Sequence, residues 1–530
     1  MTIEGRPLPP TRKDIQLVIV ASSLGTVFEW YDFFIYGTLA GLFGKLFFPL
    51  ANATAGFLLA LATFGVGFTV RPLGAVVFGF LGDRLGRKYT FIVTITLMGV
   101  ATAAIGLLPT FESIGIAAPI LLVFLRALQG FAIGGEYGGA SIYVAEHAPS
   151  HRRGYYTSFI QACPPAALLL SLTVSMGTIW ILGEDAWELW GWRIPFLISL
   201  LLLGVSLWIR LKLAESPVFT AMKQAGEMAR NPLKESFDSR AKVGRILAAL
   251  GIAAGQTVIG YTALFQVLYF LQNSMHVSSP VARLIVTIGV TTAVGWYILF
   301  GWLSDRVGRK KPIVIGYVLA ILLFFPLFHF MADQANPALA DAMHRDPVIV
   351  IGGDCSYAPF ESKGQATACG KVLELLARNG VAYSKVNAVA GTAPIVTIGG
   401  TPVKTLDSAA LLSRLKLAGY SLDPVRPPAQ RVVLVILALV GVCILAGMTY
   451  GPVAAWLVEL FPARVRYTSL SIPYHFGAGY AGGFLPFISQ YIVVKTGDPF
   501  AGFWYPIGVV TLALFVAVFF LPETSGKRLD

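Results

Sequence analysis

Charge is scarce in this chain: of 530 residues only 13% are Asp, Glu, Lys or Arg, where soluble domains carry about a quarter. A surface so poor in charge cannot be wetted all round, which excludes an ordinary soluble globule. Cysteine is scarce as well. There are four, with no Cys-x-x-Cys pair and no His/Cys cluster at zinc spacing, so no metal centre is expected. Cys163 and Cys443 fall in apolar runs and read as small core residues. The chain also lacks a P-loop, a Gly-x-Ser-x-Gly elbow and a His-Glu-x-x-His pair. These absences argue against an enzyme or a nucleotide-driven pump and leave no cofactor to expect.

What the chain has is grease: 56% of its residues are hydrophobic and its mean hydropathy is +0.70. Crossing a bilayer's hydrocarbon takes about 20 apolar residues. Twelve stretches qualify, at about 16–40, 56–80, 89–109, 117–145, 155–181, 193–212, 244–271, 282–303, 312–331, 431–459, 467–493 and 501–521. The first carries Glu29 and Asp32 and has no small-residue cleavage site, so it reads as a retained helix. Glycine and proline recur inside several stretches, as spanning helices tolerate.

One charged signature occurs twice, as Gly79-Phe80-Leu81-Gly82-Asp83-Arg84-Leu85-Gly86-Arg87-Lys88 and as Gly301-Trp302-Leu303-Ser304-Asp305-Arg306-Val307-Gly308-Arg309-Lys310. Seven of ten positions are identical across a separation of 222 residues. A second echo pairs Tyr156-Thr157-Ser158 with Tyr467-Thr468-Ser469, 311 apart. Duplication at this scale in an apolar chain points to a transporter of two similar halves. The two separations differ by 89 residues, so the second half has gained about that much between helices 8 and 10.

The expected organisation is an all-α membrane protein of twelve spanning helices in two pseudo-symmetric six-helix halves. Residues 1–212 form the first bundle, 213–243 a polar linker, 244–332 helices 7–9, and 430–530 helices 10–12 with a tail. Between them, 333–429 reads as a small α/β insert, with β-rich runs at Val348–Ile351 and Ile395–Ile398 and helical patterns at Lys371–Arg378 and Ser408–Leu417. Cys355 and Cys369 both lie in this insert and are candidates for a disulfide; two free thiols are the alternative.

The net charge of +12 reads as topology. With the N-terminus cytoplasmic, that side's short connections and termini hold 24 cations, Arg210 among them, and the opposite loops hold four. The positive-inside rule then places both termini in the cytoplasm and the insert outside. Nucleic acid is not an expected partner.

The paired Gly-x-x-x-Asp-Arg-x-Gly-Arg-Lys loops resemble the hallmark of the major facilitator superfamily. Further segments resemble its metabolite:proton symporters, which include permeases for 2-oxoglutarate, shikimate, citrate and proline/betaine. They are Glu29-Trp30-Tyr31-Asp32-Phe33, Arg71-Pro72-Leu73-Gly74, Arg126-Ala127-Leu128-Gln129-Gly130, Gly134-Gly135-Glu136-Tyr137-Gly138-Gly139, Gly191-Trp192-Arg193-Ile194-Pro195-Phe196, Glu215-Ser216-Pro217 and Arg466-Tyr467-Thr468. The likeness covers nearly everything but 333–429. Helix 5 departs from it, reading Gln161-Ala162-Cys163-Pro164-Pro165 where the family usually has glycines. The resemblance implies a bacterial inner-membrane carrier that works by alternating access, most simply as a monomer, with a small metabolite, protons and the bilayer as partners.

Few ionisable groups stand at membrane depth: Arg71 and Arg126 among the cations, Glu29, Asp32 and Glu136 among the anions. Such groups are costly in hydrocarbon and face a cavity or a partner. By depth, Asp32 matches Arg126 and Glu136 matches Arg71, so these pairs are expected. Glu29, Asp32 and Tyr36 share one helical face, which is expected to border a central cavity. Asp32, Glu29, Arg126 and Glu136 are the candidates for proton coupling; fixing helix packing is the alternative role. Arg126 and Arg71 suit a carboxylate substrate, with Tyr31, Tyr36, Tyr137 and Gln161 as polar liners. Gly79, Asp83, Arg84, Gly86, Arg87 and Lys88, with Asp305, Arg306, Arg309 and Lys310, are the candidates for a cytoplasmic gate. The expected function is proton-coupled uptake of a small organic acid. Proton-driven antiport or efflux is the near alternative, and a transporter-derived receptor sensing ligand through the insert the more distant one.

Overall fold

The computed structural model describes residues 12–50, 52–85, 87–212, 217–227, 229–361, 365–389, 391–403, 407–527 and 529. Gly86, the side chains of Arg87 and Lys88, and Glu215-Ser216 lie outside the described residues. Among the described residues, eleven helices are long and apolar enough to cross a membrane. We number them α1 (Val18–Thr38), α2 (Ala53–Leu85), α3 (Tyr89–Leu107), α4 (Ala117–His147), α5 (Ser150–Leu182), α6 (Arg193–Leu211), α7 (Arg240–Ser274), α8 (Ser279–Val307), α9 (Lys310–Ala335), α10 (Ala429–Leu460) and α12 (Ala501–Phe520). The remaining expected span, α11, is helical in consecutive pieces, Arg466–Phe476, Gly477–Gly483 and Leu485–Thr496, but falls short of that apolarity. Its first piece is rich in polar residues and buried from Arg466 to His475, with Thr468, Ser469, Ser471 and His475 turned inward. A helix that faces protein needs no lipid-soluble exterior.

Several spans break in mid-course, each at a residue that cannot sustain a straight helix. α2 is interrupted at Val70 just before Arg71-Pro72, α4 at Gly134–Glu136, and α5 at Ala162 before Pro164-Pro165. α10 breaks at Gly451-Pro452, and α11 contains Pro473 and a π-helical stretch over Gly477–Gly483. Arg71, Glu136, Gln161, Tyr450 and His475 all stand at or beside these breaks.

Glycine sets the spacing between α2 and α4. A Cβ on Gly130 would lie 1.7 Å from the Gly67 carbonyl oxygen, and one on Gly134 would lie 2.3 Å from that of Arg71. Only bare backbone allows this approach, the small-residue packing typical of membrane helices. It brings Arg71 and Arg126 into one layer.

Between α9 and α10 the chain leaves the bundle and forms the insert. Strands β1 (Val348–Gly352), β2 (Ser384–Asn387), β3 (Ile395–Ile398) and β4 (Thr401–Pro402) make one sheet of order β2-β1-β3-β4. β1 and β2 pair in parallel across the crossover helix Ala368–Arg378, and β3 pairs antiparallel to β1. Val348, Val350, Leu373, Leu376, Val396 and Leu411 form a core separate from that of the bundle. Cys355 and Cys369 are disulfide-bonded, tying the loop after β1 to the start of the crossover helix. β1, β3 and the helices Ala368–Arg378 and Ser408–Leu417 fall where the β-rich and helical patterns place them, while β2, β4 and the helix Pro337–Arg345 were not expected from the sequence.

Candidate functional site

The centre of the molecule is built on two buried arginines with aromatic surroundings. The Arg71 guanidinium lies 3.8 Å from the ring centroid of Phe68, 4.4 Å from Phe33 and 5.0 Å from Trp30. That of Arg126 lies 4.1 Å from the same Phe33, 4.5 Å from Tyr36 and 5.3 Å from Phe64. Phe33 is thus flanked by two cations. Ring faces attract a desolvated cation by about 2 kcal/mol or more, which offsets part of the burial cost without satisfying the N–H groups. The Nε and Nη2 atoms of both arginines have no hydrogen-bond partner.

The second half completes the surroundings of Arg71. Tyr261 of α7, Tyr450 of α10 and Tyr474 of α11 lie within its electrostatic reach, as does His475. Tyr137 of α4 stacks on Tyr474, ring centroids 3.6 Å apart, and the Gln161 amide of α5 donates to the Tyr450 carbonyl at 3.0 Å. Unpartnered polar atoms collect here: the Tyr137 and Tyr261 hydroxyls, both ring nitrogens of His475 and the Gln256 amide. Buried polar groups are normally paired, and each one left unpaired costs about 1–3 kcal/mol.

The expected pairs, Asp32 with Arg126 and Glu136 with Arg71, do not form; no carboxylate comes within 4.0 Å of either arginine among the described residues. Equal depth brings groups to one level but not to one side of a helix. The Asp32 side chain meets Thr102, and the Thr102 hydroxyl accepts from the Gln129 amide at 2.7 Å. Arg126 in turn donates to Gln129 Oε1 at 2.6 Å and to the Phe33 carbonyl at 3.3 Å. Two neutral side chains therefore stand between carboxyl and guanidinium, and the Thr102 hydroxyl itself donates to the Met98 carbonyl at 2.9 Å. Asp32 Oδ1 has no partner.

Glu29 and Glu136 instead share Arg210 of α6. Arg210 Nη2 lies 2.6 Å from Glu29 Oε1 and pairs equally with Glu136 Oε1, while Thr94 donates to Glu136 Oε2 at 2.7 Å. All three charged side chains are at most 5% exposed. Arg210 is hence no loop cation but the hub of a buried triad, with two carboxylates facing one guanidinium. The face of α1 bearing Glu29 and Asp32 looks into its own half of the molecule and not toward the partner half. Tyr31 does likewise, donating to the Pro195 carbonyl of α6 at 2.8 Å. The Tyr36 hydroxyl donates to Ala60 of α2 at 3.0 Å.

At the end bearing the duplicated signature the halves lock together. Asp83 Oδ2 accepts from the Thr468 backbone N–H at 3.2 Å and from its hydroxyl at 2.7 Å, at the start of α11. Asp305 repeats this on the other side, accepting from the N–H groups of Gly154 and Tyr155 at 2.8 Å each, at the start of α5. Each signature aspartate therefore caps a helix of the opposite half, where the helix dipole favours negative charge. Glu459 joins them, 2.8 Å from Arg153 and 3.1 Å from Arg309; Arg309 also holds Asp305 at 2.7 Å, and Arg466 holds Glu146 at 3.0 Å. Gly79 packs against Thr468, where a Cβ would lie 3.4 Å from its Cα. Glu523 of the tail accepts from the N–H groups of Arg309 and Lys310, while Lys310 Nζ reaches the Val518 carbonyl. Arg84 and Arg306 stack on Phe80 and Trp302 of their own helices.

With this geometry in view, comparison with known proteins is direct. Residues 17–243 match the sugar (and other) transporter family model. The shikimate transporter of Escherichia coli K12 is 40% identical over 323 residues, covering 60% of this chain and 72% of that protein. The chain belongs to the major facilitator superfamily. The proline/betaine transporter of the same organism is 37% identical over 335 residues, 60% of this chain and 67% of that one. Among solved structures, that of the proton:xylose symporter XylE superposes with a TM-score of 0.64 over 97% of both chains at 17% identity, a likeness of fold.

Within this superfamily carrier several site residues escaped the sequence: Arg210, Glu459, Arg153, Glu146, Glu523, and the Tyr261, Tyr450, Tyr474 and His475 contributed by the second half. One signal was available for the last group. A span rich in Tyr, Ser, Thr and His, such as α11, marks a helix that lines an interior surface.

Proposed function

We propose that this carrier takes up a small organic acid together with protons, by alternating access across a bacterial inner membrane, with both termini and the duplicated loops on the cytoplasmic side. The observation that carries this reading is the pair of guanidiniums about Phe33, buried at the contact of the halves with no carboxylate partner. A carboxylate arriving there supplies the missing acceptor through charge-assisted and often bidentate hydrogen bonds. The Arg71 layer draws on both halves, so an anion bound in it weights the equilibrium between inward- and outward-facing states.

Protons have two candidate seats. The Glu29–Arg210–Glu136 triad carries one negative charge in excess, which a single proton removes. Asp32 stands without an ion pair and connects to Arg126 through Thr102 and Gln129. A change in what Arg126 binds alters the field at Asp32 and so couples proton and substrate.

A zwitterion is the second reading. The rings of Trp30, Phe33 and Phe68 that hold Arg71 also suit a quaternary ammonium, and a proline/betaine transporter is among the relatives. The test is uptake of radiolabelled shikimate and glycine betaine into proteoliposomes, with an imposed pH gradient and with an uncoupler. Acid uptake that collapses with the gradient and alkalinises the medium supports symport. Acid-driven acidification indicates antiport, and uptake of betaine alone sinks the organic-acid reading.

A further inference from the structure

The insert is clasped to the second half by backbone. Val425 donates to the His276 carbonyl at 2.8 Å, Ser278 donates to Val425 at 2.9 Å, and Tyr383 donates to Gly497 at 3.0 Å. Toward the first half, Asn52 donates to Glu374 at 3.2 Å and to the Pro359 carbonyl at 3.5 Å. Where the crossover helix ends, the chain turns at Gly380 with φ +61°, and a Cβ there would stand 2.7 Å from the Asn273 carbonyl and 2.8 Å from the His276 ring. The insert is thereby pressed onto the ends of α2, α7 and α11, and a crevice of about 290 Å³ is left beneath it.

The lining of this crevice has a clear chemical bias. Gln490 of α11, only 3% exposed, lines it with its Nε2 donor unpartnered. His276 presents an unpartnered Nε2 as well; burial pushes its pKa down, against small upward effects of the Gly380 backbone and Asp423. Arg378, in the last turn of the crossover helix, is the one lining residue that carries a full charge, and no carboxylate lines the space among the described residues. A cavity lined by one guanidinium and an unmet amide donor, with no carboxylate among its described lining residues, fits an anion a few ångströms across.

We propose that this crevice is a second binding site, distinct from the Arg71 layer, which takes a small carboxylate between Arg378 and Gln490. One carboxylate oxygen accepts from the guanidinium and the other from the Gln490 amide. The insert is thus part of a recognition site at the mouth of the carrier. Its use as a holding site for incoming substrate rests on the import direction proposed above; its existence does not.

The test uses the full chain in lipid nanodiscs, with 3-fluorobenzoate as the carboxylate probe and 3-fluorobenzamide as its neutral counterpart, read by fluorine NMR line broadening against empty nanodiscs. We expect broadening by the benzoate and not by the amide. Arg378→Glu, at an exposed position, is expected to weaken binding about tenfold or more, the order set by losing one charge-assisted bond, and Gln490→Leu by several-fold. Arg71→Ala should leave crevice binding in place while abolishing uptake, so failure of the import reading and failure of this one are told apart. Equal broadening by the amide, no broadening by the benzoate, or wild-type binding by both crevice variants would overturn the proposal. Size-exclusion profiles of the variants verify that they fold.

Discussion

The charges at the basic end of the molecule and those at its middle are built in opposite ways. At the basic end Asp83, Asp305, Glu146, Glu459 and Glu523 each meet donors, and all but Glu523 meet one from the other half. At the middle, Arg71 and Arg126 lie on aromatic rings and keep guanidinium N–H groups unmet. Charges that the protein answers itself hold a conformation. Charges that it leaves unanswered are, on the function proposed above, free to meet a substrate. The triad of Arg210, Glu29 and Glu136 falls between these cases, paired but unbalanced by one unit.

Four experiments break or sharpen this contrast. The largest effect is expected from Arg210→Met, which strands two buried carboxylates; loss of one partner of a buried pair costs about 3–5 kcal/mol. Thermal unfolding in detergent should show it, and adding Glu29→Gln and Glu136→Gln should restore much of the stability. No rescue would mean that the side chain matters for packing alone.

Next comes Glu459→Gln, which removes the charge shared by Arg153 and Arg309. Hydrogen bonds to charged groups contribute about 1.5–3 kcal/mol, so the closed state at this end should lose roughly ten- to a hundredfold in population. Spin-label distances across that face should widen. An unchanged distribution would demote the cluster from latch to ornament.

Arg71→Lys keeps the charge but loses the planar fork and the ring stacking. The KM for an acid substrate is expected to rise about tenfold, the order of one such interaction, with the melting temperature nearly unmoved. A large fall in stability with no KM change would make Arg71 a structural residue and erase the contrast. The smallest effect concerns Glu523. Partial burial alone would raise its pKa, but four backbone N–H donors outweigh that and hold it below the ordinary 4.5. Its contribution to the latch is therefore complete above pH 4.5 and disappears as pH falls through the lowered value. Glu523→Gln should flatten the acid limb of latch opening, followed by the same spin labels.

The fold was legible because it rests on long-range regularities in composition: runs of about 20 apolar residues and a duplicated signature. The insert was legible for a similar reason, since its alternating and helical patterns are local. The ionisable residues at membrane depth were visible individually, yet their partners were not. Arg126 pointed to Gln129, a neutral neighbour one turn away, and not to Asp32 at the same height. Arg210 follows the last apolar residues of α6 and so looked like a loop charge, while the fold draws it inward to Glu29 and Glu136. The signature aspartates were expected as gate residues, but their use of backbone N–H groups as partners depends on which helix start lies opposite. Such choices are made by tertiary packing, and no spacing within one helix records them.

The unequal attachment of the insert has a mechanical corollary. If the halves rock as proposed above, a body continuous with α9 and α10 and clasped by backbone bonds to the second half rides with that half, while Asn52 touches it from the other. On that reading the insert is a handle whose tilt reports the state of the machine within. A binder that fastens the handle to the neighbouring Asn52 loop should therefore stop the cycle without touching the passage.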